Sequence, residues 1–435
     1  MTSARAQFLA HDRAVQLLLI NQFTINLGFY MLMPYLAAHL SGGLGLAGWL
    51  VGLVLGVRNF SQQGMFLIGG TLADRLGYKP LIVAGLLLRT AGFAVLGLAT
   101  SVPALIAASA ATGFAGALFN PAVRAYLAEA AGEERRVDAF ALFNVFYQAG
   151  ILLGPLVGMV LVRAGFRPTC LVAAAVFAVL GAVQLAALPA RGGAHGAGER
   201  AGVLAEWRGI LADPRFLLFA AAMSGSYVLT FQVYLALPLE VRRVAGEGTA
   251  GTAVTAALFV ASGLATVLFQ TRVTARCKAR HEPRRALVRG LLLMGAAFLP
   301  PLAVAAVPVP GPGPGRWTLA AVPAVLSALL LAWGTMTAYP FEMDTIVRLA
   351  GDRLVATHYG LYNTVCGIGI TLGNLVTGAA LDAARGAGLP ALPWAVLALL
   401  GAGCAWALRA GAGPEAGPRA GSTAPGLGRA PTAPR

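Results

Sequence analysis

The chain has 435 residues, 58% of them hydrophobic and 11% charged, with a mean hydropathy of +0.74. An ordinary soluble domain carries about 25% charged residues, so this balance excludes one and describes an integral membrane protein. The formal net charge of +15 would point to nucleic acid if the basic residues formed one soluble patch; they sit instead in alternate loops between apolar runs, which excludes that class of partner.

About 20 helical residues cross the ~30 Å hydrocarbon core of a bilayer. Twelve segments have that length: 15–39, 47–73, 81–99, 102–127, 139–162, 168–189, 216–239, 250–271, 286–307, 317–341, 355–380 and 391–408. The expected organisation is six spans over 1–189, a Gly-, Ala- and Arg-rich linker over 190–213, six further spans over 214–410, and a tail over 411–435. The tail is expected to be disordered, because its Gly, Pro, Ala and Arg cannot bury a core. Arg75, Lys79, Arg135, Arg136 and the cluster from Arg272 to Arg289 share the side of both termini, whereas the opposite side holds only Arg163, Arg167, Arg242, Arg243, Arg316 and Arg385. By the positive-inside rule both termini are cytosolic. The first apolar run is long enough to span and no small-residue cleavage site separates it from the next, so it is read as retained. Cys170, Cys277, Cys366 and Cys404 are scattered, with neither zinc spacing nor a disulfide framework.

In chain order, the first span carries Gln22, Asn26 and Tyr30 at i, i+4 and i+8, one polar stripe at mid-depth. Arg58 lies about eleven residues into the second span, with Gln62 one turn later on the same face. An ionisable group at that depth is costly and is a functional candidate. The stretch GGTLADRLGYKP, Gly69 to Pro80, then sets an acid, bases and three glycines in a tight turn between two long apolar runs. Gly70, Leu72, Ala73, Asp74, Arg75, Gly77 and Lys79 resemble, in order and spacing, the signature loop of the major facilitator superfamily between its second and third helices. What that resemblance implies is an all-α membrane protein of twelve helices in two bundles, a substrate path between them, and alternating access by rocking of one bundle against the other.

The fifth span continues the likeness. Gly150, Gly154, Pro155 and Gly158, in GILLGPLVG, resemble the G-x-x-x-G-P-x-x-G signature of proton-coupled antiporters; small residues at four-residue spacing admit a neighbouring helix, and Pro155 removes a backbone hydrogen bond. The halves also repeat. An ungapped offset of 219 residues aligns Pro121 with Pro340, Gly132 with Gly351, Asn144 with Asn363, Gly150 with Gly369 and Gly154 with Gly373, and it sets Phe140 and Phe143 on Tyr359 and Tyr362. GVRNFSQQG at 56–64, the stretch 69–94 and SYVLTFQVYLALPLEV at 226–241 are similar to MdtH-like multidrug exporters of bacteria. That resemblance implies efflux of amphipathic compounds in exchange for protons across a bacterial cell membrane. Ser109 stands where drug antiporters of the family commonly have an arginine, and the first span has no carboxylate.

The expected cavity set is Gln22, Asn26, Tyr30, Arg58, Gln62, Asn144, Gln148, Tyr227, Gln232, Trp333 and Asn363, with the stripes of the first and second spans facing each other across a wet cavity. Proton carriers must titrate, and the candidates are Glu342, then Asp344 and Asp74. The resemblance to the superfamily also implies that Asp74 latches onto the start of the eleventh span near Thr357, with Arg124 nearby. No metal site or cofactor is expected; the partners are lipid, a small amphipathic substrate and protons, and the chain is read as a monomer. A sugar or metabolite permease of the same fold is the alternative. A membrane-embedded enzyme would need a cluster such as H-E-x-x-H or a Gly-x-Ser-x-Gly elbow, and the sequence has neither.

Overall fold

Each expected span becomes a membrane crossing in the structure, a computed structural model that describes residues 4–191, 202–246, 249–311, 313–351 and 353–410. The first crossing is Arg13–Tyr30 continued by Met33–Ala38, the second Gly48–Gly64 continued by Phe66–Leu76, and the third Tyr78–Leu98. The fourth and fifth form one run, Val102–Leu161, turned back at Gly132 (φ 68°, ψ 166°), and the sixth is Phe166–Ala187. In the second half the crossings are Pro214–Phe231 with Ala236–Ala245, Thr249–Arg280, Pro283–Ala296 with Leu299–Val304, Pro314–Ala350, Val355–Gly386 and Leu392–Ala410. No strand occurs among the described residues. The expected tail over 411–435 and residues 192–201 of the linker lie outside them.

Local chemistry sets the ends and breaks. The Asp213 carboxylate accepts from the backbone N–H of Arg215 at 2.9 Å and of Phe216 at 3.4 Å, capping the seventh crossing, and Pro214 fits its first turn. The first and seventh crossings both break ahead of a proline, in YMLMP (30–34) and YLALP (234–238). A proline has no N–H for the carbonyl four residues earlier, so the helix parts just there.

The repeat is visible in three dimensions. Gly132 and Gly351, equivalent by the offset of 219 residues, both turn the chain with positive φ, 68° and 58°, a conformation glycine adopts without steric cost. Phe140 and its counterpart Tyr359 pack against each other with ring centroids 6.3 Å apart. Equivalent residues touch where two copies meet at the axis relating them.

The bundles meet along their cytosolic halves. A Cβ on Gly70 would overlap the Ala356 carbonyl, one on Gly360 would overlap that of Phe66, and one on Gly367 would lie 3.1 Å from Gln63, so the second and eleventh crossings approach at backbone distance. These contacts close the molecule toward the cytosol. Toward the other ends of the two crossings, positions Gly48, Gly52, Gly56 and Gly378 meet no other residue, and Trp49 is 70% exposed.

Candidate functional site

Between the bundles lies a cavity of about 350 Å³, within the size range of small-molecule sites. Tyr30, Arg124, Asn144, Tyr147, Gln148 and Ile151 wall it from the first bundle; Ser226, Tyr227, Thr230, Phe231, Tyr234, Met294, Thr335, Tyr339 and Glu342 wall it from the second. Tyr30 ends the helix just before the first break and Tyr234 lies within the second, each four residues ahead of its proline. The wall is therefore apolar and aromatic, with a few convergent polar groups, one guanidinium and one carboxyl.

The cytosolic end of the cavity is tied across the bundles. Arg124 Nη1 donates to Asn363 Oδ1 at 2.8 Å, and Asn363 Nδ2 donates to the Tyr359 carbonyl at 2.6 Å. Asn144, its repeat counterpart, donates through Nδ2 to Gln270 Oε1 at 2.8 Å, and Gln270 Nε2 donates to the Met336 carbonyl at 3.0 Å. Both asparagines of the repeat thus link one bundle to the other. Glu342 is 2% exposed and accepts from the Tyr362 hydroxyl; Tyr227 is a second hydroxyl neighbour.

The gating loop fastens the cytosolic side. Asp74 accepts from the backbone N–H of Ala356 at 3.1 Å and from the N–H and hydroxyl of Thr357, both at 2.7 Å. The Arg75 guanidinium meets Glu206 of the linker helix Val203–Leu211 at 2.9 Å, and Trp207 Nε1 donates to Thr71 Oγ1 at 2.9 Å, so the linker docks on the same loop. Gly77 has φ 96° and Lys79 is half-buried in the third crossing's first turn. Arg124 does not join this latch, contrary to the expectation from sequence; its hydrogen bond goes to Asn363. On the other side of the pseudo-axis, Lys278 Nζ donates to the Glu134 carbonyl at 3.0 Å and pairs with Asp138 at 2.9 Å. Asp138 is the repeat counterpart of Thr357, so the two latches seize equivalent points of the fifth and eleventh crossings.

Of the expected cavity set, Tyr30, Asn144, Gln148 and Tyr227 line the cavity and Asn363 borders it through Arg124. Gln22 and Asn26 do not face the second span: they are 2% and 6% exposed, Asn26 donates to the Gln22 carbonyl at 3.0 Å, and a Cβ on Gly150 would lie 2.7 Å from Asn26. The first crossing presses them against the fifth. Gln232 ties the break of the seventh crossing to the eleventh, donating to Asn374 Oδ1 at 3.2 Å. Trp333 is 40% exposed and stacks on Phe269 at 5.9 Å, outside the cavity lining. Arg58 reaches over the Phe29 ring at 4.4 Å and donates to Gln62 Oε1 at 2.9 Å. Asp344 is fully buried between Arg136 at 3.4 Å and Arg348 at 2.7 Å, a structural ion cluster. Gly154 and Gly158 abut Tyr30 and Met31 at the break of the first crossing, where Tyr35 donates to the Pro155 carbonyl at 2.8 Å.

Tyr147, Tyr339, Arg124 as a cavity residue, and Arg89 were missing from the expected set. Arg89 was findable by the signal that singled out Arg58, a cation at mid-span; the two tyrosines carry no signal that separates them from packing aromatics.

Residues 18–374 match the Major Facilitator Superfamily. An MFS-type transporter of Mycobacterium tuberculosis is 52% identical over 398 residues, 92% of this chain and 93% of its own. The multidrug resistance protein MdtH of Edwardsiella ictaluri is 31% identical over 385 residues, 88% of this chain and 90% of its own. Among solved structures, the E. coli fucose:proton symporter FucP superposes with a TM-score of 0.70 at 14% identity, covering 91% of this chain and 97% of that one. The human organic anion transporter MFSD10 superposes with a TM-score of 0.68 at 16% identity, covering 94% and 100%. Twelve crossings in two repeated bundles around a central cavity, with this match over most of the length, make the chain a member of the major facilitator superfamily of membrane transporters, not an enzyme.

Proposed function

We propose that the protein exports small amphipathic compounds, drugs or secreted metabolites, in exchange for protons by alternating access in a bacterial cell membrane. The observation that carries this reading is Glu342: a buried carboxyl on the wall of an aromatic, largely apolar cavity between the bundles, within the electrostatic reach of Arg124. A carboxyl so placed changes its proton affinity when the bundles rock and its solvent access and distance from the guanidinium change. The similarity to MdtH over nearly the whole chain and the GILLGPLVG run in the fifth crossing support antiport of drug-like compounds. A proton moving inward releases about 2.3 kcal/mol per 100 mV, enough to drive export against a gradient.

The test has two parts. Growth of a drug-sensitive bacterial host expressing the chain, across a compound panel, identifies what is exported. Everted membrane vesicles then accumulate that compound when acidified inside and release it on addition of an uncoupler. Accumulation that survives the uncoupler but stops on sodium removal would reject proton exchange.

A further inference from the structure

We propose that Arg58 and Arg89, with Gln62 between them, form a subsite for an anionic group, and that this group belongs to the transported compound. Both cations are set at mid-depth of their crossings and share one aromatic ring: the Arg58 guanidinium lies 4.4 Å and that of Arg89 5.5 Å from the Phe29 centroid, with Arg89 also 5.6 Å from that of Phe177. Arg89 is only 6% exposed. Gly116 opens the space where they converge, since a Cβ there would lie 3.1 Å from both Arg89 Nη2 and the Gln62 side-chain amide carbon.

The charge balance at this node is uncompensated. Arg58 donates to the neutral oxygens of Asn59 at 2.7 Å and Gln62 at 2.9 Å, while its buried Nε has no hydrogen-bond partner. The acids between Arg13 and Ala187 are Asp74, Glu129, Glu133, Glu134 and Asp138, all at the cytosolic ends of their crossings. Asp74 is held by Thr357 and Asp138 by Lys278. Two guanidiniums facing one ring, that of Arg89 buried and that of Arg58 half-buried, repel, and contact with the shared ring offsets only part of that cost. An anion accepting from both would remove it, because guanidinium pairs with carboxylate, sulfonate or phosphate in a charge-assisted fork. The node lies beside the cavity wall: Tyr30 and Tyr147, which line the central cavity, are the electrostatic neighbours of Arg58.

This assignment rests on the reading of the protein as an exporter of amphipathic compounds only in naming what carries the anion. Equilibrium binding needs no gradient, so its failure is separable from failure of proton exchange. The probes are naphthalene-2-sulfonate and the uncharged naphthalene-2-sulfonamide, titrated by calorimetry into the full chain in phosphatidylcholine nanodiscs. The sulfonate should bind about tenfold or more tightly than the sulfonamide, and R58Q should bring the ratio close to one. R89Q should do the same; should R89Q fail to fold, R89K should fold and keep most of the preference. Because the ratio is read, a general loss of structure that weakens both probes does not imitate the result. No detectable sulfonate binding, a wild-type ratio at or below one, or a ratio unchanged in R58Q would overturn the proposal. Repeating the titration in phosphatidylglycerol nanodiscs separates the sources of the anion: a preserved ratio assigns the node to the cargo, whereas a ratio lost only there assigns it to a lipid headgroup and overturns that part.

Discussion

Asp74 of the second crossing and Thr357 of the eleventh are joined twice, the carboxylate accepting from both the backbone N–H and the hydroxyl at 2.7 Å. The acceptor is a full negative charge facing the first turn of a helix, where unpaired N–H groups and the macrodipole favour it. Such contacts stabilise the cytosol-closed arrangement by roughly 1–3 kcal/mol.

Asp74→Asn keeps the side chain's size and removes the charge, so it should open the cytosolic side. Spin labels at the exposed residues Glu133 and Arg353 should report a longer mean distance in the variant, and turnover should fall more than equilibrium binding of the compound. Severe loss of binding with the distance unchanged would place Asp74 in the substrate path instead.

The equivalent latch, Lys278 on Asp138, is weaker by its exposure: the side chains are 43% and 31% exposed, and solvent-exposed ion pairs contribute about 0.2–1 kcal/mol. Lys278→Ala should therefore lengthen the same label distance less than Asp74→Asn does. An effect as large as that of Asp74→Asn would show that the two latches carry equal weight.

The small-residue face of the fifth crossing receives the first crossing, so its tolerance to bulk should vary along the chain. A Cβ on Gly154 would lie 2.7 Å from that of Tyr30, and forcing larger groups into such packing typically costs about 1–3 kcal/mol. Gly154→Val should lower both the thermal midpoint and transport, whereas Gly56→Ala, facing open space, should leave the midpoint close to that of the parent. Equal effects would mean that the face is not packed as described.

Most of the architecture was legible in the sequence, because each crossing must bury its backbone polar groups in a helix and the apolar length of each segment reports it. The offset of 219 residues paired Gly132 with Gly351 and Phe140 with Tyr359; that the first pair turns the chain and the second pair touches is seen only in three dimensions. The cavity was legible only in part. Polarity at mid-span marks Tyr30, Asn144 and Gln148, but it marks Gln22, Asn26 and Gln232 equally, and which polar groups face the cavity and which face a neighbouring helix depends on rotation about the helix axis. Arg124 showed the same difficulty: its partner, Asn363, is 239 residues away.

Glu342 and Asp344 should separate by phenotype. Asp344 is buried with Arg136 at 3.4 Å, and removing one member of such a pair strands the other charge at a cost of about 3–5 kcal/mol. Asp344→Asn should reduce the amount of folded protein in the membrane, measured by fluorescence-detected size exclusion. Glu342→Gln keeps the hydrogen bond with Tyr362 and should leave folding intact. Comparable losses of folded protein in both variants would remove the distinction.

The central claim is that Glu342 carries the exchanged proton. Proteoliposomes containing an internal pH dye and the exported compound report it directly: the wild-type protein should move protons when the compound is transported, whereas Glu342→Gln should still exchange labelled for unlabelled compound at equilibrium but move no protons and respond to no pH gradient. Gradient-driven transport and proton movement retained at wild-type levels in Glu342→Gln would contradict the account.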